Sequence, residues 1–170
     1  MALIVQNDAG TVVDANAYIQ IAFADSYFAD RGNIVWGNLT SVQKEQAIIK
    51  ATDYIDNRFV YAGKLLNSNQ TTSFPRGDLI DRSGYKVVGI PLKVKKASAE
   101  YAIRASTAEL AQDPIYNPGG IIIGEAIKVD VISRDFKYTS SGGKVIYKAY
   151  PLADMLLRDF IVSGGAVGRG

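Results

Sequence analysis

The order of apolar residues predicts a mainly α-helical fold. We expect a small helical bundle with an inserted long β-hairpin, followed by a C-terminal helix and a flexible tail. Three observations lead there. Apolar positions recur at helical spacing in several separate stretches. One stretch near residues 122–150 alternates with period two, as a half-buried strand does. The last eight residues, 163–170, are too rich in glycine to fold alone. With 170 residues, 48% hydrophobic and 21% charged, the chain suits one domain with a real apolar core. The expected organisation is a single domain over 1–162, with the hairpin at about 122–150, and a tail over 163–170.

Each element has its own signal. A first helix over 21–30 places Ile21, Ala24, Tyr27 and Phe28 at helical spacing, and Arg31-Gly32 ends it. A loop to Leu39 carries the only tryptophan, Trp36. A second helix begins at Thr40, where Thr40-Ser41-Val42-Gln43 fits a capping box. Its apolar stripe is Ile48, Ala51, Tyr54, Ile55 and Phe59. Residues 60–90 read as mostly irregular: 67–73 are polar, and Gly77, Gly84 and Gly89 punctuate the rest. Pro91 suits the first turn of a third helix running to about residue 111. That helix holds Ala97, Ala99, Ala102, Ala105 and Ala108, small side chains that let neighbours pack closely on more than one side.

The period then changes. Ile127, Val129 and Val131 alternate with polar residues, after which the apolar phase moves to Ile132, Phe136 and Tyr138. That shift predicts a β-bulge near Val131-Ile132. A turn at 140–143 and a second strand over 144–150, with Val145, Tyr147 and Ala149 on one side, complete the hairpin. Pro151 opens a short last helix over 152–161 carrying Leu152, Leu156, Leu157 and Phe160.

Composition narrows the chemistry. Zero cysteines exclude disulfides, thiolate metal sites and cysteine nucleophiles. Zero histidines exclude a Ser-His-Asp triad, His-ligated zinc and an imidazole base. No phosphate-loop pattern occurs. No apolar run approaches the ~20 residues of a membrane helix, and Met1-Ala2-Leu3-Ile4-Val5 lacks the basic region of a signal peptide, so the chain is expected to stay in the cytoplasm where it is made. Asp53 and Asp56, at i and i+3, could hold a metal or share a proton; a solvated face beside Lys50 and Arg58 is the favoured reading. No enzyme is expected, and no catalytic, cofactor-binding or metal residues are assigned.

Charge is unevenly spread. Residues 1–30 hold Asp8, Asp14, Asp25 and Asp30 and no Lys or Arg, a charge of −4, while the rest carries all 19 basic residues against 13 acidic ones, +6. This is either ordinary scatter or an acidic face that meets a basic face on a second subunit. Lys93, Lys95, Lys96 and Arg104 form a basic patch on the third helix, with three cations set against the helix dipole. They suit either weak contact with a DNA backbone or a solvated surface. Ten tyrosines could stack on bases, although burial is the commoner use.

Several segments in order resemble one family. They are Met1-Ala2-Leu3-Ile4-Val5 with Ala15-Asn16-Ala17-Tyr18-Ile19, then 24–33 with Trp36 and Leu39, then 47–56. Phe74-Pro75-Arg76 follows, then 90–97 with Glu100, and Tyr150-Pro151-Leu152. Together they are similar to small tailed-phage proteins described as head-tail connector or adaptor proteins and also labelled DnaT-like single-stranded DNA-binding proteins. Phe74 stands where the family pattern has Trp, which keeps the aromatic-Pro-Arg chemistry. The resemblance implies a helical adaptor of the virion neck without catalytic residues or cofactors. Its partners would be the portal protein, a tail or stopper protein, further copies in a ring of twelve, and passing genomic DNA touched without sequence preference. The alternative it implies is a DnaT-like single-stranded DNA-binding protein. On the adaptor reading, Leu156, Leu157, Phe160, Ile161 and Val162 with the tail form a docking arm, with packing onto the same domain as the alternative. Phe74-Pro75-Arg76 reads first as a rigid turn with the Arg stacked on an aromatic, and second as a partner contact.

Overall fold

The computed structural model describes residues 2–111, 116–117, 120–128, 133–138 and 148–162, the strands between 116 and 138 as backbone alone. It is mainly helical. In chain order the elements are α1 (Ile21–Ala29), α2 (Ile34–Gly37), α3 (Ser41–Arg58), β1 (Lys64–Leu65), β2 (Arg76–Gly77), α4 (Leu92–Ala105), β3 (Tyr116–Asn117), β4 (Gly120–Lys128), β5 (Ser133–Tyr138) and α5 (Pro151–Leu157). Two compact units result: residues 1–110 with 149–170, and residues 111–148.

In the larger unit α3 forms as its sequence dictates. The Thr40 hydroxyl accepts the Gln43 N–H at 3.3 Å and the Gln43 amide oxygen accepts the Thr40 N–H at 2.9 Å, the reciprocal capping box. Ala47, Ile48, Ala51, Thr52, Tyr54 and Ile55 are buried. The Ala-rich α4 packs against both α3 and α5, and Val94, Ala97, Ala99, Tyr101 and Ala102 are fully enclosed. Helix α4 ends at Ala105, about six residues before the expected end. The Ser106 and Thr107 hydroxyls donate to the carbonyls of Ile103 and Arg104, drawing the last turn into local side-chain bonds.

Two further departures are local. The expected loop before Leu39 contains α2, whose cap is the Asn33 side chain accepting from the Trp36 N–H at 3.2 Å. Within 60–90, β1 and β2 pair antiparallel, with Lys64 opposite Gly77. Helix α5 stops at Leu157, not residue 161. Ile161 instead pairs antiparallel with Tyr61: the Ala62 and Val162 N–H groups donate to Phe160 and Val60 carbonyls at 2.9 Å each.

In the smaller unit β3, β4 and β5 form one antiparallel sheet in that order. Strand β4 pairs with β5 so that Lys128 lies opposite Ser133 and Ile122 opposite Tyr138. The sequence reading of one bulged strand through 127–138 is therefore corrected. Residues 122–128 and 133–138 belong to two strands that pair antiparallel, and among the described residues the register irregularity lies between Ile122 and Gly124. A period-two pattern is the same on both sides of a chain reversal, so phase alone cannot separate a bulge from a turn. The expected bulge at Val131-Ile132, the turn at 140–143, most of the return strand over 144–150 and the tail at 163–170 lie outside the described residues; 148–150 carry no strand.

Candidate nucleic-acid interface

The basic patch sits on α4, and its cations have acidic partners in the same chain. Lys93 donates to Asp159, which also takes Arg82 at 3.3 Å. Lys95 faces Asp8 at 3.6 Å, and Arg104 meets Glu100 at 2.7 Å. For Lys96 no ion pair is found among the described residues. Cations that oppose the helix dipole are thus held by Asp8 and Asp159 at the start of α4, and the Lys93 hydrogen bond keeps the Asp159 carboxyl below the usual range. The acidic first 30 residues are partly spent the same way. Asp8 also accepts the Ile90 N–H at 3.0 Å, and Asp25 accepts from Lys44 at 2.8 Å and the Trp36 indole at 2.7 Å. Burial pushes the Asp25 carboxyl up, but those two bonds outweigh it and hold the group below its ordinary value.

Beside Lys95 lies a depression of about 240 Å³, lined also by Gln6, Gln20, Ile19 and Phe23. Two aromatic side chains, Phe23 and Tyr18, one cation and two amide side chains therefore line the same hollow. Phe23 continues into a row along α1. Its ring stacks on Tyr27 at 6.5 Å between centroids, and the Arg31 guanidinium lies 3.6 Å over the Tyr27 ring. Phe23 and Tyr27, at i and i+4, share one face of α1, and Arg31 follows two residues beyond the helix end. From α4, Glu100 accepts the Tyr27 hydroxyl at 2.8 Å while Arg104 grips the same carboxylate. Burial, reinforced by Glu100, pushes the Tyr27 hydroxyl up to about 12. The structure thus joins Lys95 and Arg104 to an aromatic row on α1 that sequence reasoning did not single out. Its signal was legible, because Phe23, Tyr27 and Arg31 repeat every fourth residue.

The other singled-out residues are placed elsewhere. Phe74 is fully buried and meets Tyr18, Tyr61 and Phe160 edge-to-face at 4.7–6.1 Å. The peptide before Pro75 is cis. Among the described residues Arg76 stacks on no aromatic ring, which corrects that expectation. Its guanidinium donates to four carbonyls instead: Ala62 at 2.6 Å, Ser73 at 3.1 Å, Tyr61 at 3.3 Å and Gly63 at 2.9 Å. Of the docking residues, Leu157 and Phe160 are buried in the core of their own unit; Leu156 and Ile161 pack against it and Val162 is exposed.

Asp53 is exposed as expected, but Asp56 is not on a solvated face. It accepts the Tyr18 hydroxyl and the Ser73 N–H at 3.2 Å. Burial pushes its carboxyl up to about 6 against the pull of those bonds. A second polar node ties α3 to α5, where Arg58 pairs with Asp154 at 3.1 Å and Asp154 also accepts the Tyr101 hydroxyl. Among the described residues there is no group of three acidic side chains placed to hold a metal ion, and no helix is long and apolar enough to cross a membrane.

A family model described as "Putative DnaT-like ssDNA binding protein" matches residues 1–169. No curated protein and no solved structure matches the chain.

Proposed function

The chain belongs to this DnaT-like ssDNA-binding protein family over nearly its whole length, and on that premise we propose that it contacts single-stranded DNA, weakly and without reading sequence. The match over residues 1–169 carries the reading. The α1–α4 surface supports it. A base can stack on an aromatic face such as Phe23, while Lys95 and Lys96 neutralise phosphates. Lysine acts there as a point charge on a flexible stem, which suits backbone contact more than base recognition. Weakness follows from the pairing already described. Lys93, Lys95 and Arg104 each have an acid beside them, and the net charge is only +2. We infer no catalytic role: the chain lacks histidine and cysteine, and its buried carboxylates Asp56 and Glu100 are engaged by tyrosine hydroxyls.

Titrating the full chain into fluorescently labelled oligo-dT, with a duplex of equal length as control, tests the proposal. If Arg31, Lys95 and Lys96 each meet one phosphate, affinity should fall roughly 20-fold between 50 and 200 mM salt, from a slope of about −0.7 per phosphate. The single strand should bind more tightly than the duplex. No saturable binding at 50 mM salt, or tight binding indifferent to salt, would overturn it.

The ring-forming head-tail connector, docked on a portal protein and a tail or stopper protein in the virion, is the second proposal. It rests on the ordered sequence resemblance. The ion pairs of Lys93, Lys95 and Arg104 support it, because cations neutralised by their own acids would touch DNA without retaining it, as a passage for a moving genome requires. Reconstruction of the assembled particle tests this, and the chain present as a single copy or a dimer would refute the ring.

A further inference from the structure

Seven tyrosines have described side chains, and six of them are buried; Tyr85 is the exception, 73% exposed. It stands near the tip of a finger between Leu79 and Gly89. The finger is built to hold its shape. Leu79 anchors it in the core, the Val87 N–H donates to the Leu79 carbonyl at 2.8 Å, and Ile80 pairs with Lys86. At the tip the Asp81 carboxylate accepts the N–H groups of Ser83 and Tyr85 at 2.9 Å each. The Asp81 N–H donates to the Tyr85 carbonyl at 2.9 Å, and Gly84 supplies the positive φ of 83° that the turn needs. At the foot, the Ile90 N–H donates to Asp8, the carboxylate that Lys95 faces. The finger therefore rises beside the proposed DNA-contacting surface. Arg82 and Lys86 flank Tyr85 and are exposed, although Arg82 shares Asp159 with Lys93.

We propose that this finger is a single-stranded nucleic-acid contact, in which the Tyr85 ring stacks on an unpaired base while Arg82 and Lys86 neutralise the phosphates on either side. The inference rests on the DNA-binding reading above and adds a binding element to it. Chemistry favours this occupant. An aromatic ring held out on a short, hydrogen-bonded tip loses little freedom when a base covers it, and stacking tolerates any base because every base has a π face. Ile80 and Val88 are also exposed on the finger, which makes a protein partner the competing class. The two flanking cations point instead to a polyanion.

The test uses the full chain and two labelled oligomers of equal length, oligo-dT and an abasic phosphodeoxyribose chain. Tyr85→Ala should weaken oligo-dT binding about tenfold, from the cost of losing one stacked base, and leave abasic binding unchanged. Tyr85→Trp should restore oligo-dT binding. Arg82→Ala with Lys86→Ala should weaken both oligomers and flatten the salt dependence. If the wild-type chain binds neither oligomer, the DNA-binding reading fails and this inference with it. If the wild-type chain binds and Tyr85→Ala binds equally well, or loses both oligomers alike, the finger proposal alone is overturned. A Tyr85→Ala variant that keeps DNA affinity but changes its sedimentation would assign the finger to contact between protein copies and also overturn the proposal.

Discussion

Asp56 shows how one residue can run against the usual pH behaviour of a carboxylate. Burial raises its folded-state value to about 6, while the unfolded chain titrates near 3.9. The folded protein therefore holds the proton more tightly between those values. The resulting stability is fully present below about pH 4 and is lost as the pH rises through about 6. Two units correspond to roughly 3 kcal/mol. Chemical denaturation of wild type and Asp56→Asn at pH 4.5 and pH 8 should show wild type losing roughly 2–3 kcal/mol more than the variant over that interval. Parallel pH profiles for the two would mean that Asp56 is ionised at no such cost. The residue itself was visible in the sequence at i+3 from Asp53. Its burial was not, because the groups that enclose it, Tyr18 and Ser73, come from segments 38 and 17 residues away.

At the scale of an element, α5 is held by tertiary packing. A seven-residue helix is marginal alone, and it stays because Leu157 is buried and Asp154 ties α5 to Arg58 of α3 and Tyr101 of α4. Phe160, just beyond it, closes the aromatic cluster around Phe74. Leu157→Ala and Phe160→Ala should each lower stability by about 2–5 kcal/mol, the cost of a core cavity. The pair together should unfold the larger unit at moderate temperature, as read by circular dichroism. A double variant that stays folded with unchanged stability, yet fails to join a partner, would return these residues to a docking role. The i, i+4 apolar stripe of this helix was legible, but a stripe says only that one face is covered and is silent on what covers it.

For the whole molecule, the division into two units makes a direct prediction. The chain leaves the larger unit at Leu110 and returns at Ala149. The Tyr150 hydroxyl donates to the Leu110 carbonyl at 3.2 Å, so the two stems are fastened within the larger unit. Replacing residues 112–147 with a short Gly-Ser linker should leave α1–α5 folded, with a cooperative thermal transition and the Trp36 fluorescence unchanged. Loop-closure entropy changes slowly with length, so the linker itself costs little. Loss of the cooperative transition would show that the larger unit depends on residues 111–148.

What the sequence determined by itself was local. The Thr40–Gln43 capping box, the apolar stripe of α3 and the Ala-rich α4 all depend on neighbours within a few residues, where spacing and capping chemistry are sufficient. It also settled what was excluded, since histidine and cysteine chemistry needs those residues to be present. Tertiary structure alone decided the pairings across distance. It decided that Lys95 meets Asp8 and Lys93 meets Asp159, that Arg76 closes on four carbonyls and, among the described residues, stacks on no ring, and that Tyr85 is left in the open while six other tyrosines are buried. The physical reason is common to all three. An ion pair, a carbonyl clamp or an exposed ring depends on which distant segments the core brings alongside, and one-dimensional periodicity carries no record of that.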